Sequence, residues 1–323
     1  MDRLTKRILI GSGIAAAGMG AAGAANRAIT KYFVDVALNR QPPPHPSGSE
    51  RLLSGFAMAP EFLQAAAAAG EWLAGQGGET VKILSRDGTE LVGHWFPCQG
   101  AQRIVLAMHG WRSNWHDDFG MVADFWFQNR CSVLFAEQRG QGESGGEYMG
   151  FGLLERFDCQ DWVDWIIRQE KSLPIYLAGV SMGASTVLMA AGMRLPERVR
   201  GVMADCGYTS LVDIWTHVAK DNLGLGSDSR MAAADGICRK KIRVGIGDYS
   251  CLKAMGTCRV PVLFIHGTDD HFVPIQMTYE NYKACVAPKR LFVVPGADHG
   301  MSYLVDTEGY ERIVREFWQD YDK

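Results

Sequence analysis

Six short runs of consecutive apolar residues dominate the pattern between residues 100 and 300. Each run is four to six residues long and is bounded by polar or glycine-containing segments. A strand with both faces covered by helices shows continuous rather than alternating hydrophobicity. The pattern therefore predicts six buried parallel strands, over residues 104–108, 133–136, 175–180, 201–204, 262–265 and 291–294.

The spacers between these runs have helical periodicity. Apolar residues recur at three- and four-residue intervals in four segments, residues 117–129, 153–170, 184–194 and 307–321. Before the first run, two strand-like segments flank an Asp-Gly pair and predict an antiparallel hairpin, over residues 80–84 and 90–96. Alternating strands and helices predict an α/β fold with a mostly parallel, doubly wound sheet of about eight strands. One spacer of about fifty residues, 207–259, predicts a cap insertion.

The N-terminal segment differs in composition from the rest of the chain. Arg3, Lys6 and Arg7 precede an uncharged stretch over residues 8–25 that is rich in Ala and Gly. A positive flank followed by an apolar run is typical of a signal peptide or a signal anchor. We predict that residues 1–30 form such a segment, retained as a single membrane span with the rest of the chain outside the cytoplasm. Cleavage followed by secretion is the alternative.

The remaining N-terminal residues separate this segment from the predicted sheet. Residues 31–79 contain a Pro cluster and an Ala-rich stretch, which favour an extended stalk followed by a helix. We interpret them as a stalk and a leading helix. The domain that contains the predicted sheet is then expected over residues 80–323.

Composition and charge limit the partners. The 323 residues include 33 Lys and Arg against 36 Asp and Glu, for a net charge of −3. This balance provides no excess of positive charge for a phosphate backbone, so we expect no nucleic-acid partner. The eight Cys form no Cys-x-x-Cys pair, and we expect free thiols, no metal and no organic cofactor. The basic cluster at 239–243 is interpreted as a solvated helix face.

A serine in a Gly-x-Ser-x-Gly pentapeptide follows one predicted strand directly. Residues 179–183 read GVSMG, between the strand at 175–180 and the next predicted helix. A sharp strand-to-helix turn of this kind exposes the hydroxyl above the sheet edge, next to a helix N-terminus that stabilises negative charge. A second pentapeptide, at 142–146, follows a polar loop and leads into no helix. We therefore predict Ser181 as the nucleophile and Ser144 as part of a structural loop.

A serine nucleophile needs a base and a carboxylate, which are expected at the carboxyl ends of neighbouring strands. His299 follows the last predicted strand, and Asp270 follows the strand before it. The order Ser, Asp, His is one of the chain orders found in Ser-His-Asp triads. We predict His299 as the base and Asp270 as the acid. Asp205, at the end of another strand, is the main alternative acid, and Asp269 and Asp298 are adjacent carboxylates.

Backbone N–H groups are expected to bind the oxyanion. One comes from the residue after the nucleophile, Met182, and the other from a loop after an earlier strand. That loop, residues 109–113, makes the N–H of Trp111 the second predicted donor. Trp111 and Trp115 are interpreted either as walls of an acyl pocket or as core aromatic residues.

From about residue 80 to its end, the chain resembles bacterial α/β-hydrolases of the serine aminopeptidase-like and acyl-transferase or thioesterase-like group. The resemblance implies the α/β-hydrolase fold, places the acid at Asp270 rather than Asp269, and assigns Ser144 to a structural loop. Gln138 and Gln141 depart from the Asp and His often found there in relatives. The segments that carry the resemblance are His109-Gly110, residues 139–144 (RGQGES), 179–183 (GVSMG) and 205–208 (DCGY), His266-Gly267 with Asp270 and Val273-Pro274, and His299-Gly300.

These observations predict a serine hydrolase that cleaves carboxylic esters of a small-molecule acyl substrate through an acyl-enzyme. A serine peptidase or a thioesterase of the same fold is the first alternative, because one triad serves all three bonds. A catalytically silent, membrane-anchored binding module is the second alternative. A peptidase would need a carboxylate for the peptide amino terminus, and the cap offers four candidates, Asp213, Asp221, Asp228 and Asp235.

Overall fold

The computed structural model describes residues 26–44, 60–222 and 228–322, and a single eight-stranded sheet runs through them. In chain order the strands are β1 (Glu79–Leu84), β2 (Glu90–Phe96), β3 (Arg103–Met108), β4 (Cys131–Ala136), β5 (Ile175–Val180), β6 (Val199–Asp205), β7 (Val262–Gly267) and β8 (Lys289–Val294). Their spatial order is β1-β2-β4-β3-β5-β6-β7-β8. In this spatial order every pair of neighbouring strands from β4 onward is parallel. β1 and β2 pair antiparallel with each other, and β2 also pairs antiparallel with β4. The predicted hairpin is confirmed, and all six predicted strands are present and parallel. Five of them are buried as predicted, whereas β8 lies at the edge of the sheet and is mostly half-buried, because only one side of it pairs with another strand.

Helices cover both faces of this sheet. In chain order they are α1 (residues 26–38), α2 (Pro60–Ala74), α3 (Trp115–Gln128), α4 (Glu155–Gln169), α5 (Met182–Ala191), α6 (Leu211–His217), α7 (Asp228–Lys241), α8 (Cys251–Met255), α9 (Ile275–Ala284), α10 (Ser302–Val305) and α11 (Thr307–Tyr321). Helices α2, α3 and α11 contribute to the core on one face, and α1, α4, α5 and the cap helices contribute to the core on the other. The arrangement is the α/β-hydrolase fold.

The alternation of side chains along β3 explains why its sequence is continuously apolar. Ile104, Leu106 and Met108 pack into one core. Val105 and Ala107 point to the opposite face and pack into the other. Successive side chains of a strand point to opposite faces, so a strand buried on both faces needs an apolar residue at every position.

The segment between β6 and β7 is largely helical. Its described residues form α6, a π-helical turn at Val218–Asn222, α7 and α8. Buried residues of α6, α7 and α8 join the core that also holds α4 and α5. The predicted cap residues therefore pack on the face of the sheet that carries α5.

The N-terminal residues described by the structure lie against the sheet domain. Helix α1 crosses the boundary predicted at residue 30, and its Val34 and Leu38 are buried in a core shared with the sheet. Asn39 then forms a β-bridge with Tyr148. The predicted signal or anchor stretch over residues 8–25 lies outside the described residues. Among the helices that the structure describes, none is long and apolar enough to cross a membrane.

Candidate active site

Ser181 occupies the sharp turn between β5 and α5. Its φ of 54° and ψ of −117° lie outside the regions that L-residues commonly adopt. Backbone atoms of neighbouring segments pass so close to the two flanking positions that only glycine, which has no Cβ, fits there. A Cβ on Gly179 would lie 2.3 Å from the backbone of Gly183, and a Cβ on Gly183 would lie 1.8 Å from the carbonyl oxygen of Met108. Close packing therefore explains both glycines of the pentapeptide.

The structure brings the three residues predicted for the triad into one hydrogen-bonded row. His299 Nε2 lies 2.8 Å from Ser181 Oγ. The other ring nitrogen, Nδ1, lies 2.7 Å from Asp270 Oδ2. Asp270 follows β7 and His299 follows β8, so the row lies at the carboxyl edge of the parallel strands. This is the geometry that a serine nucleophile, an imidazole base and an orienting carboxylate require.

Four hydrogen bonds hold the Asp270 carboxylate. Oδ1 accepts from the backbone N–H groups of Phe272 and Val273, at 2.9 and 2.7 Å. Oδ2 accepts from His299 and also lies 3.0 Å from Nε2 of His266. Although burial raises the pKa of Asp270, the neighbouring His299 and His266 hold it well below its ordinary value. The carboxylate is therefore ionised at neutral pH and has a fixed orientation.

His266 is a residue of this site that sequence reasoning missed. Its ring is fully buried, and Nε2 faces two acceptors, Asp270 Oδ2 at 3.0 Å and the carbonyl oxygen of Val273 at 2.9 Å. Nδ1 lies 2.6 Å from Thr278 Oγ1. Nε2 must carry a proton, because both of its partners only accept. The spacing His266 to Asp270 is the one sequence signal that could have suggested this contact.

Cys206 follows the end of β6 and lies beside the base. Its Sγ, a carboxylate oxygen of Asp270 and a ring nitrogen of His299 all lie within 4.8 Å of one another. Burial raises the pKa of the Cys206 thiol to about 11. The thiol is therefore protonated at neutral pH.

Neighbouring groups oppose the effect of burial on the base. Burial lowers the pKa of His299, but its neighbours Cys206 and Asp270 together raise it well above its ordinary value. The contact with the Asp270 carboxylate would also stabilise the imidazolium that forms when a base accepts a proton from serine.

The alternative acids lie elsewhere. Asp205 is buried and accepts a hydrogen bond from Ser302 Oγ at 2.9 Å. Burial raises the pKa of Asp205 to about 6. Asp298 accepts from the backbone N–H of His299 at 2.7 Å rather than from the ring, and Asp269 accepts from Thr268. Of these carboxylates, Asp270 is the one that contacts the His299 ring.

The second pentapeptide serine has a structural environment. Ser144 is fully buried, and its Oγ donates to the carbonyl oxygen of Glu137 at 2.7 Å and accepts from the N–H of Val92 at 2.8 Å. Both partners are backbone groups of neighbouring segments. Ser144 therefore ties the loop at 139–144 to β2, as interpreted from the sequence.

The two predicted oxyanion donors face no competing acceptor. Met182 begins α5, and the first N–H groups of a helix have no partner within it. Within the part of the chain that the structure describes, neither its N–H nor that of Trp111 donates a hydrogen bond. The loop at 109–113 also approaches the serine closely, because a Cβ on Gly110 would lie 3.6 Å from Ser181 Cβ.

Several side chains hold the loop at 109–113 in place. Asp118 accepts from the N–H of Gly110 and from Ser113 Oγ, both at 2.5 Å. Gln141 Oε1 accepts from the N–H of Arg112 at 2.6 Å. Gln138, the other departure from the resembled family, donates through its side-chain Nε2 to the carbonyl oxygen of His109, and its Oε1 accepts from Thr186 Oγ1 at 3.0 Å. Both glutamines therefore have structural roles.

Two further interpretations are resolved by packing. Trp115 is buried among aromatic residues, stacked on His94 and 5.5 Å from the ring of Phe135, so it belongs to the core.

Two residues of the basic cluster at 239–243 form ion pairs. Arg239 contacts two carboxylates of the cap, and Lys241 contacts Asp35 of α1 at 3.0 Å. All eight cysteines are free thiols.

A family described as serine aminopeptidase, S33, matches residues 99–211 of this chain. The uncharacterized protein YqkD of Bacillus subtilis is 27% identical over 187 residues, which are 58% of this chain and 61% of YqkD. The uncharacterized protein YfhR of Escherichia coli K12 is 26% identical over 230 residues, which are 68% of this chain and 73% of YfhR. The match thus spans less than two thirds of YqkD and more than two thirds of YfhR.

Solved esterases share the fold. The Pyrococcus furiosus esterase Pf2001 aligns with a TM-score of 0.64 at 22% identity, covering 87% of this chain and 98% of the esterase. Est1E of Butyrivibrio proteoclasticus, solved with ferulic acid bound, aligns with a TM-score of 0.58 at 18% identity, covering 75% of this chain and 98% of Est1E. Together with the family match, these neighbours support a hydrolase of the α/β-hydrolase type.

Proposed function

We propose that the protein is a serine hydrolase that cleaves carboxylic esters, with Ser181 as nucleophile, His299 as base and Asp270 as orienting acid. The observation that carries this proposal is the unbroken row of hydrogen bonds from Ser181 Oγ through the His299 ring to Asp270. The strained backbone of Ser181, at the start of α5, supports it further.

In the first half of the proposed reaction, Ser181 Oγ attacks the ester carbonyl carbon while His299 Nε2 takes the hydroxyl proton. The carbonyl oxygen becomes an oxyanion and accepts hydrogen bonds from the N–H groups of Met182 and Trp111. The tetrahedral intermediate then collapses. The ester C–O bond breaks, the leaving oxygen takes the proton from His299, and an acyl-serine remains.

In the second half, water replaces the alcohol. His299 Nε2 takes a proton from the water as the oxygen attacks the acyl-serine carbonyl, and the same two N–H groups bind the second oxyanion. Collapse releases the carboxylic acid, and the proton returns to Ser181 Oγ. Asp270 keeps Nδ1 protonated throughout, so that Nε2 is the nitrogen available to exchange protons.

The proposed preference for an ester over a peptide draws on two of the four cap carboxylates considered for a peptide amino terminus; the side chains of the other two, Asp221 and Asp228, lie outside the described part of the chain. An aminopeptidase needs a free carboxylate to bind the substrate's ammonium group. Asp213 accepts from Thr209 Oγ1 and Ser210 Oγ, and Asp235 is paired with Arg239. These two cap carboxylates are therefore engaged within the protein. The esterase neighbours agree with this preference, whereas the description of the matched family keeps a serine peptidase as the second candidate.

The test is hydrolysis of p-nitrophenyl esters from acetate to decanoate by the full chain in detergent. S181A is expected to lose activity to the background rate, which is a loss of at least about 10³-fold for a triad residue. S144A is the matched control, because it removes a buried hydroxyl that makes only structural contacts. It is expected to lower thermal stability and leave kcat within about twofold.

Amide substrates and a fluorophosphonate label separate the alternatives. Labelling at Ser181 together with cleavage of aminoacyl p-nitroanilides, and no ester hydrolysis, would favour the peptidase. Neither labelling nor turnover of any substrate would contradict a hydrolase and favour the silent binding module.

We also propose that residues 1–30 hold the protein at the membrane with the catalytic domain outside the cytoplasm. The charge pattern of that segment supports this proposal. Cell fractionation tests it directly. The full chain is expected in the membrane fraction after a high-salt wash, and its catalytic domain is expected to be degraded by protease added to spheroplasts. A soluble full-length chain would contradict the anchor.

A further inference from the structure

Helix α1 ends on the loop that carries one proposed oxyanion donor. Trp111 Nε1 donates to the carbonyl oxygen of Ala37 at 2.9 Å. The guanidinium of Arg112 donates through Nη2 to the carbonyl oxygens of Val36, at 2.6 Å, and Asn39, at 2.7 Å. Three carbonyl groups at the C-terminal end of α1 thus receive hydrogen bonds from two consecutive residues of this loop.

Elementary helix chemistry explains why an arginine suits this position. The last carbonyl groups of a helix have no partner within the helix, and the C-terminal end carries partial negative charge. Within the described ranges, Arg112 forms no ion pair with a carboxylate. It stacks on the ring of Trp111, 5.2 Å from the centroid. The end of α1 is therefore the principal partner of its charge.

The backbone of Arg112 also needs support. Its φ is 53°, in the left-handed region that non-glycine residues rarely adopt. Its N–H donates to Gln141 Oε1 at 2.6 Å. Gln141 thus holds the peptide bond that follows Trp111, one residue after the peptide bond that carries the Trp111 N–H. The side chains on both sides of that bond, those of Trp111 and Arg112, bind α1.

The opposite side of α1 contacts the cap. Lys241, in the last turn of α7, lies 3.0 Å from Asp35 Oδ1 and donates to Asn39 Oδ1 at 2.8 Å. Near the start of α1, Arg230 Nε donates to Asn26 Oδ1 at 2.5 Å. Helix α1 therefore joins the cap helix α7 to the loop beside Ser181.

We propose that Arg112 is a positioning residue, which holds the Trp111 N–H in place for the oxyanion by binding the C-terminal carbonyl groups of α1. Helix α1 is then a supporting part of the catalytic site rather than a stalk. This inference rests on the proposed serine hydrolase function. It concerns geometry that matters in the transition state, because the oxyanion exists only there and in the tetrahedral intermediates.

The experiment compares R112A, R112K and W111F with the parent protein, all as full chains, on p-nitrophenyl butyrate. Loss of a whole oxyanion donor costs about 10²–10³ in kcat, so a displaced donor in R112A is expected to lower kcat by about 10-fold with KM within twofold. R112K keeps the charge but not the planar guanidinium group, so its kcat should lie between those of R112A and the parent. W111F keeps the backbone N–H, removes the bond to Ala37 and replaces the ring on which Arg112 stacks. It is expected to lower kcat in the same direction as R112A, with KM within twofold.

R86A is the matched control for R112A. Arg86 is similarly exposed and donates to Asp161 at 2.8 Å, and neither residue belongs to the contacts described for the proposed site. It is expected to retain the parent kcat. Guanidinium ion at millimolar concentration should restore part of the activity of R112A and none in S181A, a response that a general loss of stability does not produce.

Two outcomes overturn the inference. One is a kcat of R112A within twofold of the parent, and the other is an equal fall of kcat in R86A and R112A. If R112A unfolds, R112K and W111F carry the test, since both retain most of the packing. The rate of fluorophosphonate labelling separates this inference from the proposed function. Slower labelling of R112A than of the parent supports the inference, whereas a parent that is neither labelled nor active contradicts the proposed function itself.

Discussion

Replacing His266 with leucine tests whether the second contact to the Asp270 carboxylate matters. Leucine fills a similar space but donates no hydrogen bond. Asp270 Oδ2 would lose the partner at 3.0 Å, and the carbonyl oxygen of Val273 would lose the one at 2.9 Å. A hydrogen bond to a charged acceptor contributes about 1.5–3 kcal/mol, and a buried carbonyl group left unpaired adds about 1 kcal/mol. We therefore expect H266L to be destabilised by about 2–4 kcal/mol.

The effect on catalysis should be smaller than removal of the acid. In H266L, Asp270 keeps both backbone donors on Oδ1 and the His299 ring on Oδ2. Its orientation is loosened rather than lost, so we expect kcat to fall by about 10-fold. Replacing the acid of a triad by its amide costs about 10⁴-fold. H266Q, whose amide group can still donate, should recover part of the loss.

The stability difference should also depend on pH. Because His299 and His266 depress the folded-state pKa of Asp270, the ionised carboxylate stabilises the fold above its unfolded pKa of about 3.9. This contribution is lost as pH falls through the folded value. The difference in free energy of unfolding between parent and H266L is therefore expected at pH 5–8, and it should become smaller below about pH 4.

Urea unfolding followed by tryptophan fluorescence measures the stability, and ester hydrolysis from pH 5 to 9 measures the catalytic effect. A H266L variant with kcat within twofold of the parent and a free energy of unfolding within about 0.5 kcal/mol would refute the role assigned to His266. T278V is the control for the far side of the ring. It removes the hydroxyl at Nδ1 but leaves the contact to Asp270.

Two other predictions concern the same edge of the sheet. Since the Asp270 carboxylate raises the pKa of His299, D270N should move the rising limb of the kcat/KM profile down by about 1 pH unit or more; an unmoved limb would contradict this electrostatic coupling. Because a Cβ on Gly183 would lie 1.8 Å from Met108 O, G183A should lose both activity and fluorophosphonate labelling, while G236A, at an open position of α7, should fold normally. A labelled G183A would show that the turn tolerates a side chain.

The sequence by itself determined the order of strands and helices along the chain and the positions of the proposed nucleophile, base and acid. Apolar runs identify strands that are covered on both faces, because each position of such a strand must be apolar. The residues at the ends of those strands then meet at one edge of the sheet. Ser181, Asp270 and His299 could be singled out in this way although 89 and 118 residues separate Ser181 from the other two.

Only the tertiary structure decided which polar groups meet. Asp270 and Asp205 both follow strands, but Asp205 faces Ser302 while Asp270 faces His299. In the sequence, His266 is noted only as part of a His-Gly pair. The fold places its ring against Asp270. A stalk and a leading helix are predicted from residue 31 onward, whereas residues 26–38 form α1, which packs on the domain. A hydrogen bond forms only within narrow limits of distance and angle between donor and acceptor. Packing between distant segments sets where each side chain lies, and periodicity along the chain does not encode that packing.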